Sequence, residues 1–125
     1  MPREAISTPE IAPPVGPFSS GVRAGELIFL SGQVAQDPAT GKLITGDVAA
    51  QAEQIFRNFA AVLRAAGKTF ADVVRVGVYL TNMADYPALN AVYGRHFEAP
   101  YPARTAIAVT ALPLGAVVEM EFVVR

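Results

Sequence analysis

Between positions 47 and 66 the chain places an apolar residue every three or four positions: Val48, Ala52, Ile55, Phe56, Phe59, Val62, Leu63 and Ala66. That spacing draws one stripe down one side of a helix. Gln51, Gln54, Arg57, Asn58 and Arg64 fall mainly off the stripe. Asp47 can cap the first turn and Gly67 can end the last. A helix with one apolar side must bury it against another layer. Phe56 and Phe59, on the stripe, are therefore read as core.

The rest of the chain supplies strands for that layer. Leu27-Ile28-Phe29-Leu30-Ser31 is an apolar run, joined to residues 19–23 through the turn Ala24-Gly25-Glu26, which predicts a hairpin. Residues 73–80 alternate, with Val74, Val76, Val78 and Leu80 on one face and Val73, Arg75, Gly77 and Tyr79 on the other. Asp85 is placed to cap a second helix, with Pro87 in its first turn and Leu89, Val92, Tyr93, His96 and Phe97 on its apolar side. The spacing gives His96, the one histidine, a packing or surface role. Residues 102–109 and 116–124 are apolar and extended, around a turn at Leu112-Pro113-Leu114-Gly115. An extra strand near Val34 or Leu43 is also compatible with the pattern. Five of the ten prolines fall in the first seventeen residues. Residues 1–5 are expected to be mobile and residues 13–18 ordered, with Asp37-Pro38-Ala39-Thr40-Gly41-Lys42 an exposed turn. The order β-β-α-β-α-β-β predicts a single α+β domain over residues 1–125: a mostly antiparallel or mixed sheet with both helices on one face.

That arrangement leaves the other sheet face uncovered, and composition bears on what meets it. Of 125 residues, 52% are hydrophobic and only 17% charged, against roughly a quarter charged in an ordinary soluble domain. Apolar surface is expected to be hidden twice, in the core and between subunits. Ten basic and eleven acidic residues leave a formal charge of −1 and no basic run, so no nucleic-acid partner is expected. Cysteine is absent, which removes disulfides, thiolate nucleophiles and cysteine metal sites and is compatible with a cytoplasmic location. Met1-Pro2-Arg3-Glu4 does not open like a secretion signal, and no apolar run is long enough to span a membrane.

The chemistry is expected in residues 102–124. Arg104 and Glu119 each interrupt an apolar strand, with Glu121 two residues on. A charge there must reach water, pair, or hold a ligand. Pro100-Tyr101-Pro102 stiffens the approach to Arg104. Glu119 and Glu121 share a face, either both solvated or with one turned into a cavity at a subunit seam. Ser31, at a strand end beside Gly32, is a plausible ligand contact or simply a turn residue.

Taken together, Gly16-Pro17-Phe18-Ser19, Phe29-Leu30-Ser31-Gly32-Gln33, Asn90-Ala91-Val92-Tyr93, Pro102-Ala103-Arg104, Leu112-Pro113 and Val118-Glu119-Met120 resemble, in order and spacing, the signatures of the Rid family of enamine/imine deaminases, also called the YjgF family. The resemblance covers nearly the whole chain. It implies a chorismate-mutase-like fold and a barrel-like homotrimer with three clefts between neighbouring subunits. It also implies hydrolysis of 2-imino acids such as 2-iminopropanoate and 2-iminobutanoate to 2-oxo acids and ammonia, with no metal or organic cofactor.

On that resemblance Arg104 would bind the substrate carboxylate, as a rigid guanidinium suits a planar carboxylate, and Glu119 would hold or activate water. Backbone groups near Thr105 and Ala106 would contact the substrate, Ser31 would help place it, Asn90 would support the cleft and Phe18 would wall it. Two positions depart from the family's pattern: Phe18 stands for a tyrosine and Ala106 for a cysteine. The apolar Phe18 wall suits a substrate with an apolar tail. The same scaffold is also compatible with a noncatalytic 2-oxo acid binder or with an enzyme acting on a different enamine.

Overall fold

The computed structural model describes residues 2–125. Six strands form one sheet: β1 (Glu4–Ile6), β2 (Gly21–Ala24), β3 (Leu27–Gln33), β4 (Val73–Leu80), β5 (Ala103–Ala108) and β6 (Val118–Val124). Their order across the sheet is β1-β2-β3-β6-β4-β5. All neighbours run antiparallel except β4 and β5, which are parallel. The sheet is therefore mixed. Its parallel pair needs a crossover, and helix α2 (Tyr86–Tyr93) lies in that connection. The second predicted helix is shorter than its apolar spacing suggested: it ends at Tyr93, and His96 and Phe97 follow on a turn.

The long helix α1 (Val48–Ala65) forms where the stripe predicted it. Asp47 accepts the Ala50 amide at 3.0 Å. At the other end Gly67 takes φ +73°, and Lys68 N–H reaches back to the Leu63 carbonyl at 2.9 Å, the left-handed stop that glycine makes without steric cost. The stripe buries Ile55, Phe56, Phe59, Val62 and Leu63 against Val76, Val78, Met120 and Phe122 of the sheet. Phe59 stacks on Phe122 with centroids 3.9 Å apart, and His96 stacks on Phe56 at 4.2 Å. His96 Nε2 also lies 3.2 Å from Glu53, so the lone histidine is a packing residue with a surface partner.

Four sequence readings change. Residues 4–6 are a strand: β1 pairs with β2, setting Glu4 opposite Arg23, and only Met1 of the segment expected to be mobile lies outside the described residues. The strict alternation in β4 fails at its start, because an irregularity between Val73 and Arg75 turns Val73 into the core and exposes Val74. The polar residues of α1 are less peripheral than their spacing implied. Gln51, Gln54 and Asn58 are buried, and they hold loops. Gln51 Oε1 accepts the Val117 amide at 3.0 Å, and the Asn58 side-chain amide donates to the Gln36 carbonyl at 3.0 Å. Finally, the possible strand near Val34 or Leu43 reduces to one bridge, Gln36 opposite Leu43.

Both helices pack on one sheet face. The other face is open, and Phe29, Val74 and Ile107 are 47%, 44% and 45% exposed on it. Among the described residues no helix is long and apolar enough to cross a membrane.

Candidate functional site

Residues 102–124 do not fold as one hairpin. Strand β4 lies between β5, which carries Arg104, and β6, which carries Glu119. Arg104 pairs with Val76, a core-facing residue, whereas Glu119 pairs with Tyr79 on the open face. The two side chains therefore project to opposite faces, and their strands lie about 10 Å apart at two inter-strand spacings. The two groups of one chain line separate clefts.

The first is a cleft of about 340 Å³ whose lining includes Phe18, Ser31, Gly32, Gln33, Pro113 and Glu119. Gly32 is what lets the carboxylate sit there: a Cβ on Gly32 would collide with Glu119 Oε2 and stand 3.0 Å from its Cδ. Burial, reinforced by the charge of Glu121, pushes the Glu119 carboxyl above its ordinary range. A carboxyl so placed is suited to taking and returning a proton. Its neighbour Glu121 is differently engaged, because it accepts the Tyr79 hydroxyl at 2.5 Å. That bond is the chief reason the Tyr79 phenol is pushed up. Ser31 Oγ donates to the Ser19 carbonyl at 2.6 Å, and Ser31 N–H donates to the Ser20 carbonyl at 2.9 Å. Ser31 thus fastens the loop bearing Phe18 to β3 and is itself part of the cleft lining. Gln51, through the Val117 amide, fixes the entry of β6 just before Glu119.

The second cleft surrounds Arg104. Its guanidinium donates to the Tyr86 hydroxyl at 2.8 Å and lies 4.6 Å from the Tyr93 ring centroid and 5.4 Å from that of Tyr86. No carboxylate pairs with it among the described residues. Asn90, Tyr93, Tyr101 and Pro102 share the cleft. Tyr93 is 6% exposed, and neither its hydroxyl nor Asn90 Oδ1 has a hydrogen-bond partner. Burial raises the Tyr93 phenol, and the positive charge of Arg104 opposes the shift. A cation held by π faces and one phenol, with no carboxylate beside it, is free to pair with an anion, and the Tyr93 hydroxyl can donate to one.

The predicted residues thus separate. Phe18, Ser31 and Glu119 share one cleft, and Arg104 and Asn90 share the other. Ala106 faces the core side of β5 near Arg104's row, and Thr105 faces the open side, where Arg75 donates to its hydroxyl at 3.4 Å. Strand β5 is a sheet edge, so alternate backbone groups around Thr105 and Ala106 point away from β4. Three residues escaped the sequence reading. Gly32 was noted only as the neighbour of Ser31, Tyr86 drew no reading of its own, and Gln51 read as peripheral. The Tyr86-to-Tyr93 spacing of two turns was the one available signal that both rings could face the same cation. Among the described residues no group of three or more His, Asp or Glu is placed to hold a metal ion.

A mixed six-stranded sheet with two helices on one face, a desolvated carboxyl and an unpaired guanidinium defines an α+β protein whose sites suit a small polar molecule carrying an anionic group. The chain belongs to the Rid/YjgF family: the family model described as Endoribonuclease L-PSP matches residues 9–125. It is 39% identical over 121 residues to the human 2-iminobutanoate/2-iminopropanoate deaminase, covering 97% of this chain and 88% of that one. It is 45% identical over 123 residues to Protein DfrA of Myxococcus xanthus, covering 97% and 94%. The crystal structure of RidA from an Antarctic Psychrobacter superposes with a TM-score of 0.94 at 42% identity, over 98% of this chain and 99% of that one.

Proposed function

We propose that the protein is a hydrolytic deaminase of 2-enamino and 2-imino acids, 2-iminopropanoate and 2-iminobutanoate among them, which it converts to 2-oxo acids and ammonia. In this reading the chain forms a chorismate-mutase-like, barrel-like homotrimer through the open face of its sheet. Each working cleft joins the Arg104 half-site of one copy to the Glu119 half-site of the next. The observation that carries the reading is the pair of unmatched, complementary groups: a guanidinium without a carboxylate and a desolvated carboxyl above its ordinary range.

The substrate carboxylate pairs with Arg104, which orients the C2=N bond toward the neighbouring copy's Glu119. Glu119 takes a proton from water as its oxygen adds to C2, and the imine nitrogen takes one from solvent, giving the tetrahedral aminoalcohol. Glu119 then returns its proton to the amino group as the C–N bond breaks; ammonia leaves, the hydroxyl proton passes to solvent and the C2=O bond forms. An imine carbon is already electrophilic, so positioning the water and moving protons supply the chemistry. The Glu119 cleft has no Lys or Arg in its lining, which does not favour nucleic acid as the substrate.

The experiment is a dehydratase-coupled assay in which semicarbazide competes for the released imine. Wild type is expected to suppress trapping and speed release of the 2-oxo acid. Arg104→Lys is expected to lose most of the effect, because a point charge does not replace the guanidinium fork. Arg104→Ala and Glu119→Gln, each inactive alone, are expected to regain part of the activity when unfolded and refolded together, since mixed oligomers contain some clefts with both native groups. Loss of trapping suppression in a folded oligomeric wild type, with retained 2-oxo acid binding, would establish the noncatalytic alternative. Full activity of Arg104→Lys would refute the carboxylate clamp.

A further inference from the structure

The walls of the Glu119 cleft differ in polarity. Glu119, Ser31, Gln33 and Gln36 make one side polar. The other side is the proline-rich loop, which presents Ala12, Pro14, Val15 and Phe18. Val15 is 66% exposed and Phe18 46% exposed, an apolar pair held open beside a polar site. Behind them lies a second cleft of about 600 Å³ that shares Ala12, Pro14, Phe18 and Ser20 with the first and adds Ile6 and Ile11. Its lining contains no charged residue. The Phe18 ring therefore stands between a cleft with a carboxyl and a cleft without any charge. Its position is set by two ties: its own N–H to the Gly16 carbonyl at 2.9 Å and the Ser31 hydroxyl to the Ser19 carbonyl.

We infer that the Phe18 loop and the cleft behind it are a side-chain subsite, and that the protein prefers 2-imino acids with branched aliphatic or aromatic side chains over those with methyl or ethyl. This rests on the deaminase reading and specifies its substrate class. The imine carbon must lie within reach of water held by Glu119, and of these side chains a methyl group covers the least of the apolar wall. An isobutyl or benzyl group extends onto Phe18 and displaces water from it. Phenylalanine at position 18 leaves no hydroxyl to be buried without a partner when that side chain arrives. Each methylene taken from water contributes about fourfold, so three added carbons set an upper bound near sixtyfold, and the expected gain is about tenfold or more.

The test has two arms. In the first, an amino-acid oxidase generates imines from alanine, 2-aminobutanoate, leucine and phenylalanine, and kcat/KM for hydrolysis is read against semicarbazide trapping. In the second, calorimetry gives Kd for pyruvate, 2-oxobutanoate, 4-methyl-2-oxopentanoate and phenylpyruvate. Both are expected to favour the larger members by about tenfold or more. Phe18→Ala is expected to bring the leucine-to-alanine ratio to within about threefold of unity. A flat or falling series, or an unchanged ratio in Phe18→Ala, overturns the subsite. If no imine is hydrolysed, the deaminase reading fails. The calorimetric series still decides the subsite: rising affinity upholds it and uniform affinity removes it.

Discussion

Replacing Gly32 by alanine separates catalytic geometry from stability. Gly32 is not one of the positive-φ glycines, so an alanine there fits the backbone. The conflict is with Glu119, where the new Cβ would overlap Oε2 and stand 3.0 Å from Cδ. Carbon contacts are comfortable at about 3.5–4.0 Å, so the carboxyl group must retreat by about 1 Å. A carboxylate at the end of a flexible side chain can do so for about 0.5–1.5 kcal/mol of rotamer strain. For a chain of this size that corresponds to a melting temperature lowered by about 2–6 °C. Catalysis is far less forgiving, because a misplacement of about 1 Å costs roughly a hundredfold. Gly32→Ala is therefore expected to fold and assemble like wild type and to lose about two orders of magnitude in kcat in the dehydratase-coupled assay, with KM little changed. A variant keeping more than about a third of wild-type kcat would refute the claim that Glu119 works from the position Gly32 allows.

Other outcomes follow from the same geometry. Tyr86→Phe removes the one side-chain hydrogen bond that Arg104 makes among the described residues; at about 1.5 kcal/mol for a bond to a charged group, KM should rise about tenfold with a smaller change in kcat, and an unchanged KM would show that the ring faces alone hold the guanidinium. The folded-state pKa of Glu119 is raised, so the folded protein binds the extra proton and stability falls as pH rises through the unfolded and then the folded value. Glu119→Gln should accordingly melt higher than wild type at pH 7 while losing activity, and a lower melting temperature would contradict the desolvation account. If the carboxylate form of Glu119 is the working one, activity falls on the acid side at a pH above the ordinary carboxylate range, and Glu121→Gln moves that limb to lower pH by removing a neighbouring negative charge. Gln51→Ala leaves the Val117 amide without its acceptor; at about 1–3 kcal/mol, the melting temperature should drop by about 4–12 °C, measured by calorimetry.

Local pattern was enough for the elements that bury one face. The α1 stripe, its Asp47 cap and Gly67 stop, the hairpin of β2 and β3, and the core faces of β6 and most of β4 all follow from a period of 3.6 or 2, which is a property of consecutive residues. Arg104 and Glu119 likewise stand out as charges within apolar strands without any coordinates. What consecutive residues do not encode is which strands are neighbours. The insertion of β4 between β5 and β6 is decided by the crossover through α2 and by the fit of the whole core. That insertion sends Arg104 and Glu119 to opposite faces and places them in separate clefts of one chain. The role of Gly32 as room for a carboxylate, the capture of Arg104 by Tyr86 and Tyr93, and the burial of Gln51 against the Val117 amide are likewise contacts between residues distant in the chain. Each depends on packing in three dimensions, where a missing Cβ or a side-chain amide acquires meaning only from the group that the fold brings against it.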